Sequence, residues 1–253
     1  MIIKAIAVDY DWTLTNKKKE IAPSVKESMR RAEESGVQVM IATARTLINI
    51  QDKIKRFNLT TSGPIISENG GVIKDQITGK EVILGSLEKA EEAYKILRKK
   101  VKGLKRQPQM NLPHHTIRKT DVVLIVKKKD LVAIDKVMKT IDLDVDYTCA
   151  PTPYHPGQIG VFIKKTGVDK GVGLKIASEM IGIKTSEVAA IGDSENDIKM
   201  FNVAGFSYAV GNADERLKQR ANMIVHGKYG EGVSEAFNHI LSNRDQLIKK
   251  NGM

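Results

Sequence analysis

The feature that most constrains this chain is its start. Residues 1–8 form an apolar run interrupted only by Lys4, and the run delivers Asp9-Tyr10-Asp11-Trp12-Thr13-Leu14-Thr15. Ile2, Ile3, Ile6 and Val8 are β-branched, and Ala5 and Ala7 are small, which leaves little polar surface on either face. Such a segment belongs in the middle of a parallel sheet, covered on both sides. Open α/β sheets bind ligands beyond the carboxyl ends of their strands, so Asp9 and Asp11 are expected at a reacting position. Alternate residues of an extended chain point the same way, and the two carboxylates converge if extended backbone continues through Asp11. Like charges held that close raise a pKa unless a cation neutralises them. One carboxylate can then serve as nucleophile or metal ligand and the other as proton carrier. A strand ending in a solvated acidic turn would show the same spacing, and the segments downstream decide between the two.

A chain of 253 residues can bury a full core, as one large domain or two unequal ones. The single cysteine, Cys149, excludes an intramolecular disulfide framework. No apolar run approaches the roughly 18 residues of a membrane span, and no charged-then-apolar leader is present. A soluble cytoplasmic protein, with no membrane partner, is therefore expected. The net charge of +11 is spread over clusters at 17–19, 98–106, 127–129 and 249–250, and aromatic residues make up only 5%. No base-stacking platform emerges, so nucleic-acid binding is the disfavoured alternative of another class. The same field suits a small acidic substrate, and most of the lysines read as solvated surface.

The spacing of Val25, Met29 and Ala32 predicts a helix over 23–35, closed by Gly36. A second β-rich run, 37–42, then ends in Thr43-Ala44-Arg45. This βαβ unit brings Thr43 to the same sheet edge as Asp9. There its hydroxyl and the N–H groups of the following turn, Ala44 included, can bind an anion. Thr43 can equally be the N-cap of a helix over 47–57. Asn69-Gly70-Gly71, between two short apolar runs, reads as a tight turn whose glycines supply positive φ.

From residue 80 to 163 the pattern changes to helix 87–101, an irregular stretch 103–119, strand 121–127, helix 131–141 and strands 145–150 and 158–164. This predicts an α+β insert with one sheet face covered, carrying 16 Lys and Arg against 10 Asp and Glu. His114, His115, Tyr154 and His155 lie in its loops without zinc-like spacing, and Pro151, Pro153 and Pro156 stiffen a loop that can press on a substrate or merely join two strands.

The α/β pattern then resumes. Asp169 is the expected N-cap of a helix over 172–181, and Lys170 stands at its N-terminus, where a cation invites an anion. A lysine there can bind phosphate and hold Asp9 ionised. A buried strand at 188–192 runs into Gly192-Asp193-Ser194-Glu195-Asn196-Asp197. With a helix starting at Ser194, Asp193 and Asp197 can share one hard cation with Asp9, and Mg2+ suits such oxygen ligands. Strand 206–210, helix 214–221, strand 223–225 and helix 233–241 complete the chain, and Gly211-Asn212 ends a strand on the active edge.

Asp9-x-Asp11-x-Thr13, Thr43, Lys170 and Gly192-Asp193-Ser194-x-Asn196-Asp197, in that order, resemble the four motifs of the haloacid-dehalogenase-like phosphatases. The resemblance covers nearly the whole chain and implies a doubly wound, Rossmann-like α/β core over 1–79 and 164–253. The insert at 80–163 resembles the C2-type cap. The run from Thr61 to Val72, with the modest cap, is most similar to archaeal-type phosphoglycolate phosphatases. Two departures stand out: Trp12 replaces the usual Gly, and Ala44-Arg45 replaces the Gly-Asn common after this threonine, which is nearer the sugar-phosphate branch.

The resemblance implies a Mg2+-dependent phosphomonoester hydrolase acting through an aspartyl-phosphate. It makes Asp9 the nucleophile and Asp11 the general acid and base. Asp9, Asp193, the Asp11 main-chain carbonyl and Asp197 would hold the metal, Asp197 through water. Thr43, Ala44, Lys170 and Asn196 would bind the phosphate or substrate. A small phosphorylated metabolite, first 2-phosphoglycolate, is the expected partner, with a sugar phosphate or glycosyl-3-phosphoglycerate as alternatives; a homodimer is compatible with these features.

Overall fold

The computed structural model describes residues 2–106, 118–152, 155, 157–243 and 246. The first part of the chain forms β1 (Ala5–Asp9), α1 (Pro23–Glu34), β2 (Gln38–Ala42), α2 (Leu47–Phe57), β3 (Ile65–Ser67), β4 (Val72–Lys74) and β5 (Glu81–Ile83). The middle part contributes α3 (Leu87–Lys100), β6 (Lys105–Arg106), β7 (Val122–Lys127), α4 (Leu131–Met138), β8 (Val145–Pro151) and β9 (Gln158–Lys165). The last part adds α5 (Lys170–Met180), β10 (Val188–Gly192), α6 (Ile198–Val203), β11 (Phe206–Ala209), α7 (Glu215–Lys218), β12 (Met223–Ile224) and α8 (Gly230–Asn243).

β1 is buried along its whole length and pairs in parallel with β2 and β10. The eight-stranded sheet has the order β12-β11-β10-β1-β2-β3-β4-β5, parallel as far as β3, with the β3–β4 and β4–β5 pairs antiparallel. The chain winds outward from β1 through β2 and β3, then returns to the other side of β1 through β10, β11 and β12. β1 is thus the topological switch point, where a crevice opens beyond the strand ends. The register Asp9↔Ala42 and Val8↔Ile191 brings Asp9, Thr43 and Gly192 to that one edge.

Local chemistry explains the helices that hold this sheet. In α1, Pro23 fills a first-turn position whose N–H would be unsatisfied, and Val25, Met29 and Ala32 are fully buried on one face. The same helical spacing buries Val233, Phe237 and Ile240 of α8, which packs against α1. A second sheet, β6-β7-β9-β8, is antiparallel throughout. Val122, Leu124, Val126, Val161 and Ile163 bury one of its faces against α3 and α4 in a separate apolar cluster.

The doubly wound core and the α+β insert expected from the sequence are both present, with shifted limits. β1 starts not at residue 1 but at Ala5, the first residue in register with β2 and β10; Ile2 is 48% exposed. Residues 81–83, expected in the insert, pair with β4 as the last strand of the large sheet, and β9 continues to Lys165. Glu195–Asp197 form a short 3-10 turn before α6, so the helix expected from Ser194 starts later. His114, His115, Pro153, Tyr154 and Pro156 lie outside the described residues, and His155 is half-buried. No helix among the described residues is long and apolar enough to cross a membrane.

Candidate active site

β1 ends at Asp9, and Tyr10–Leu14 coil into one wide turn closed by Thr15 N donating to Tyr10 O at 3.1 Å. The extended backbone that would align Asp9 with Asp11 therefore stops, and the Asp11 side chain lies against Arg45. Arg45 Nε donates to Asp11 Oδ2 at 2.8 Å and Nη2 to Oδ1 at 2.6 Å. Its Nη1 reaches Asn49 Oδ1 at 2.8 Å, and its guanidinium lies 5.1 Å from the Tyr10 ring centre. Asp11 is consequently not one of the gathered carboxylates, which are Asp9, Asp193 and Asp197, with one oxygen of each within 4.8 Å of the others. The geometry thus corrects the expected convergence of the Asp9 and Asp11 side chains on one point.

The turn requires a left-handed residue, and Trp12 fills that place at φ 60°. Asn212 Nδ2 secures it by donating to Trp12 O at 2.9 Å. An L side chain in this region costs on the order of 1 kcal/mol relative to Gly. Trp12→Gly is accordingly expected to be more stable than Trp12→Ala by about 1 kcal/mol in urea unfolding, the reverse of the usual order. Equal stability of the two variants would show that the backbone is not strained there.

Lys170 is the hub of the site. Asp169 caps α5, accepting from Val172 N at 2.9 Å, and Lys170 on the first turn is 1% exposed. Its ammonium donates to Asp9 Oδ1 at 2.5 Å and Asp197 Oδ1 at 2.7 Å. The approach of Gly70 fixes the start of this helix: with φ +92°, a Cβ there would fall 2.0 Å from Asp169 O. Glycine is thus demanded both by conformation and by contact. Asp197 Oδ2 accepts the backbone N–H groups of Asp193 and Ser194, each at 3.1 Å. Gly192 makes room for it, since a Cβ there would lie 2.6 Å from Asp197 Cγ. Thr13, fully buried, donates its hydroxyl to Asp193 Oδ1 at 2.8 Å.

Burial pushes Asp9 up to about 7, with the charges of Asp197 and Asp11 adding to the rise and Lys170 opposing it. Burial likewise lifts Asp193 well above the usual carboxylate range, reinforced by Asp9 and Asp197. For Lys170, burial alone would lower the pKa, but Asp197 and Asp9 outweigh it and hold the ammonium protonated. When ionised, the three buried carboxylates exceed the charge of the single ammonium that contacts Asp9 and Asp197, so a further cation is needed to balance them. An all-oxygen set of this sign fits a small hard divalent cation such as Mg2+.

The remaining expected residues flank this group. Thr43 is fully buried; its N–H donates to Ile66 O at 2.8 Å, and its carbonyl accepts from Asn69 N at 3.0 Å. It is not the N-cap of α2, a role taken by Thr46, whose hydroxyl accepts from Asn49 N. Freed from capping, the Thr43 hydroxyl accepts from Arg45 N at 3.2 Å. Ala44 is half-buried, and its carbonyl accepts from Arg118 Nη2 at 2.7 Å. Asn196 Oδ1 accepts from Ser194 Oγ at 2.5 Å, which places Asn196 in the Asp193–Asp197 loop.

The turn after β3 differs from its expected form: positive φ falls on Glu68, Asn69 and Gly70, while Gly71 is right-handed. The Asn69 side-chain oxygen is buried and has no hydrogen-bond partner among the described residues. Residues with no assigned role in the sequence also meet here. Glu68 accepts from Lys119 N, Thr120 N and the Thr120 hydroxyl, and Arg118 pairs with Asp121. Their only sequence signal is charge next to short strands: Glu68 lies 51 and 52 positions from Lys119 and Thr120, although Arg118 and Asp121 are near neighbours in sequence.

The chain matches the family model of haloacid dehalogenase-like hydrolases over residues 6–104 and 95–237. It therefore belongs to the haloacid dehalogenase-like hydrolase family, and it is a phosphatase of that family. A phosphoglycolate phosphatase of Archaeoglobus fulgidus is 36% identical over 234 residues, covering 92% of this chain and 95% of its own. Another phosphoglycolate phosphatase, from Methanothermobacter thermautotrophicus, is 35% identical over 92% of this chain and 97% of its own. Protein 0175 of Thermoplasma acidophilum shares the fold with a TM-score of 0.79 at 23% identity, over 95% of this chain and 99% of the other.

Proposed function

We propose that this phosphatase hydrolyses monoesters of small phosphorylated acids, with 2-phosphoglycolate as its first substrate, through a covalent phosphoryl group on Asp9. The observation that carries the reading is the buried contact of Lys170 with both Asp9 and Asp197 at the carboxyl edge of β1. Asp9 is fixed on a central strand and cannot recoil, which suits a nucleophile held in line with phosphorus. Its oxygen forms the new P–O bond as the ester P–O bond breaks.

Asp11 then gives the leaving alkoxide its proton. For that role its carboxylate turns from the Arg45 fork toward the leaving oxygen. In the second half, water attacks phosphorus, its proton passes to Asp11, and phosphate leaves with Asp9 restored. Thr43, the Ala44 N–H and Lys170 would stabilise the equatorial oxygens, the electrostatic task that dominates phosphoryl transfer. Asn196 is assigned to substrate binding from the same loop. Asp9, Asp193 and the Asp11 main-chain carbonyl would hold Mg2+, with Asp197 behind them. The bound ion supplies positive charge that offsets repulsion between the carboxylate cluster and the phosphoryl group.

We assign the second sheet with α3 and α4 as a cap that excludes bulk water and selects the organic part of the ester. The names of the relatives from Archaeoglobus fulgidus and Methanothermobacter thermautotrophicus favour phosphoglycolate. The test is phosphate release from 2-phosphoglycolate beside sugar phosphates and a glycosyl-3-phosphoglycerate, each with Mg2+ and with chelator. The highest kcat/KM is expected for 2-phosphoglycolate, with turnover lost in chelator. A sugar phosphate leading the panel would overturn the substrate, and turnover undiminished in chelator would overturn the metal.

A further inference from the structure

Arg118 enters the site from the chain leading into β7, far from every motif residue in sequence. Its guanidinium is nearly enclosed, with 14% of the side chain exposed. Nη2 donates to Ala44 O at 2.7 Å and to Asp121 Oδ2 at 2.9 Å, while Nε contacts Asp121 Oδ1. The plane lies 5.8 Å from the centre of the Phe162 ring, on β9. Directly behind it, Lys119 N and Thr120 N donate to Glu68, the residue whose neighbour Asn69 donates to Thr43 O. One strap at 118–121 therefore grips both loops that surround Thr43.

The bond to Ala44 O matters for what lies at the other end of the same peptide unit. The Ala44–Arg45 peptide presents its carbonyl to Arg118, and its N–H donates to Thr43 Oγ1 at 3.2 Å. A charged donor on the carbonyl polarises the peptide and fixes its plane, which strengthens the N–H as a donor. A threonine oxygen that accepts from this N–H keeps its own hydrogen for another acceptor. Thr43 already has its backbone groups bonded to Ile66 and Asn69. The hydroxyl hydrogen is then left to point toward an incoming anionic oxygen.

We propose that Arg118 is a positioning residue for phosphoryl transfer: through the Ala44–Arg45 peptide it sets the Thr43 hydroxyl as a donor to the phosphoryl group. The inference rests on the reading of Thr43 as a phosphate-binding residue. It makes assembly of the anion site depend on a residue that travels with the chain into the second sheet. Asp121 and Glu68 supply the charge that keeps Arg118 in place, the former buried to 0% exposure.

The test is a double-mutant cycle between Arg118→Met and Thr43→Ala, read as kcat and KM for p-nitrophenyl phosphate with Mg2+. Arg118→Met is expected to lower kcat about tenfold in the wild-type background, a fraction of the loss from removing an anion donor outright. In the Thr43→Ala background it is expected to lower kcat by less than about twofold, because interacting residues are non-additive. Equal fold losses in both backgrounds would overturn the proposal, since a purely structural effect multiplies through. Circular dichroism and thermal unfolding check each variant, because Arg118→Met strips Asp121 of its partner.

Should Arg118→Met fail to fold, Arg118→Lys serves in its place, keeping the charge but not the planar fork. The same pattern is expected of it, and wild-type kcat in Arg118→Lys would count against the proposal. A wild-type enzyme that cleaves no phosphomonoester would bring down the underlying reading as well. Additivity with an active wild type would bring down this inference alone.

Discussion

Asp9→Asn is expected to reduce turnover by about four orders of magnitude or more, the scale set by removing a covalent nucleophile. The substitution keeps the size and the acceptor oxygen facing Lys170, so the loss would be chemical. Its effect on stability should have the opposite sign. In the metal-free protein burial raises Asp9 from 3.8 to about 7, so the native state penalises its ionised form. A carboxylate with a raised native pKa stabilises the fold fully below the unfolded value, and that contribution is lost as pH climbs through the native value. In chelator, wild-type stability should therefore fall between about pH 4 and pH 7 by a share that Asp9→Asn does not lose. Urea unfolding of both proteins across that range measures it. A variant less stable than wild type at pH 8 in chelator would contradict the electrostatic description of the site.

Lys170→Met is expected to damage both fold and chemistry. The ammonium is the shared partner of Asp9 and Asp197, which are buried to 5% and 0% exposure. Breaking a buried ion pair by removing one partner costs about 3–5 kcal/mol, because the other charge is left uncompensated. The metal-free variant should lose stability on that scale, and Mg2+ should restore part of it through the same carboxylates. Turnover should remain depressed by about 100-fold or more even with Mg2+, since a donor to the transferring group is gone. Denaturant unfolding with Mg2+ and with chelator, beside kcat, separates the two effects. A variant as stable as wild type in chelator would mean that water, not Lys170, balances the carboxylates.

These contrasts also mark where sequence was sufficient. The β1 run, the cap at Asp169 and the spacing of Val25, Met29 and Ala32 are local signals, and each element formed, the two helices close to their expected limits and β1 only from Ala5. The meeting of Asp9, Thr43 and Asp193 was legible because parallel strands joined by right-handed crossovers must end on one edge. Asp11 was misplaced because period-two logic holds only while the backbone stays extended, and the chain turns at Tyr10, between the two carboxylates. A helix cap at Thr43 stood as a second reading beside anion binding because Thr46 offers the same chemistry three residues on, and only backbone geometry chooses between them.

Arg118 and Glu68 offered only charge beside short strands as a signal. Glu68 meets its partners, and Arg118 meets Ala44, across other elements, and nothing local distinguishes a buried charge from a solvated one. Gly70 and Gly192 looked like turn or strand-end glycines, whereas the space they vacate for Asp169 and Asp197 appears only on packing.

The central claim, that Asp9 carries the phosphoryl group during turnover, is tested most directly by acid-quenching the enzyme with excess 2-phosphoglycolate and Mg2+ and mapping the adduct by peptide mass spectrometry. The expected result is a phosphoryl adduct on the peptide containing Asp9 that is absent from Asp9→Asn and decays once substrate is removed before the quench. An adduct on a different residue, or undiminished turnover by Asp9→Asn, would contradict the assignment.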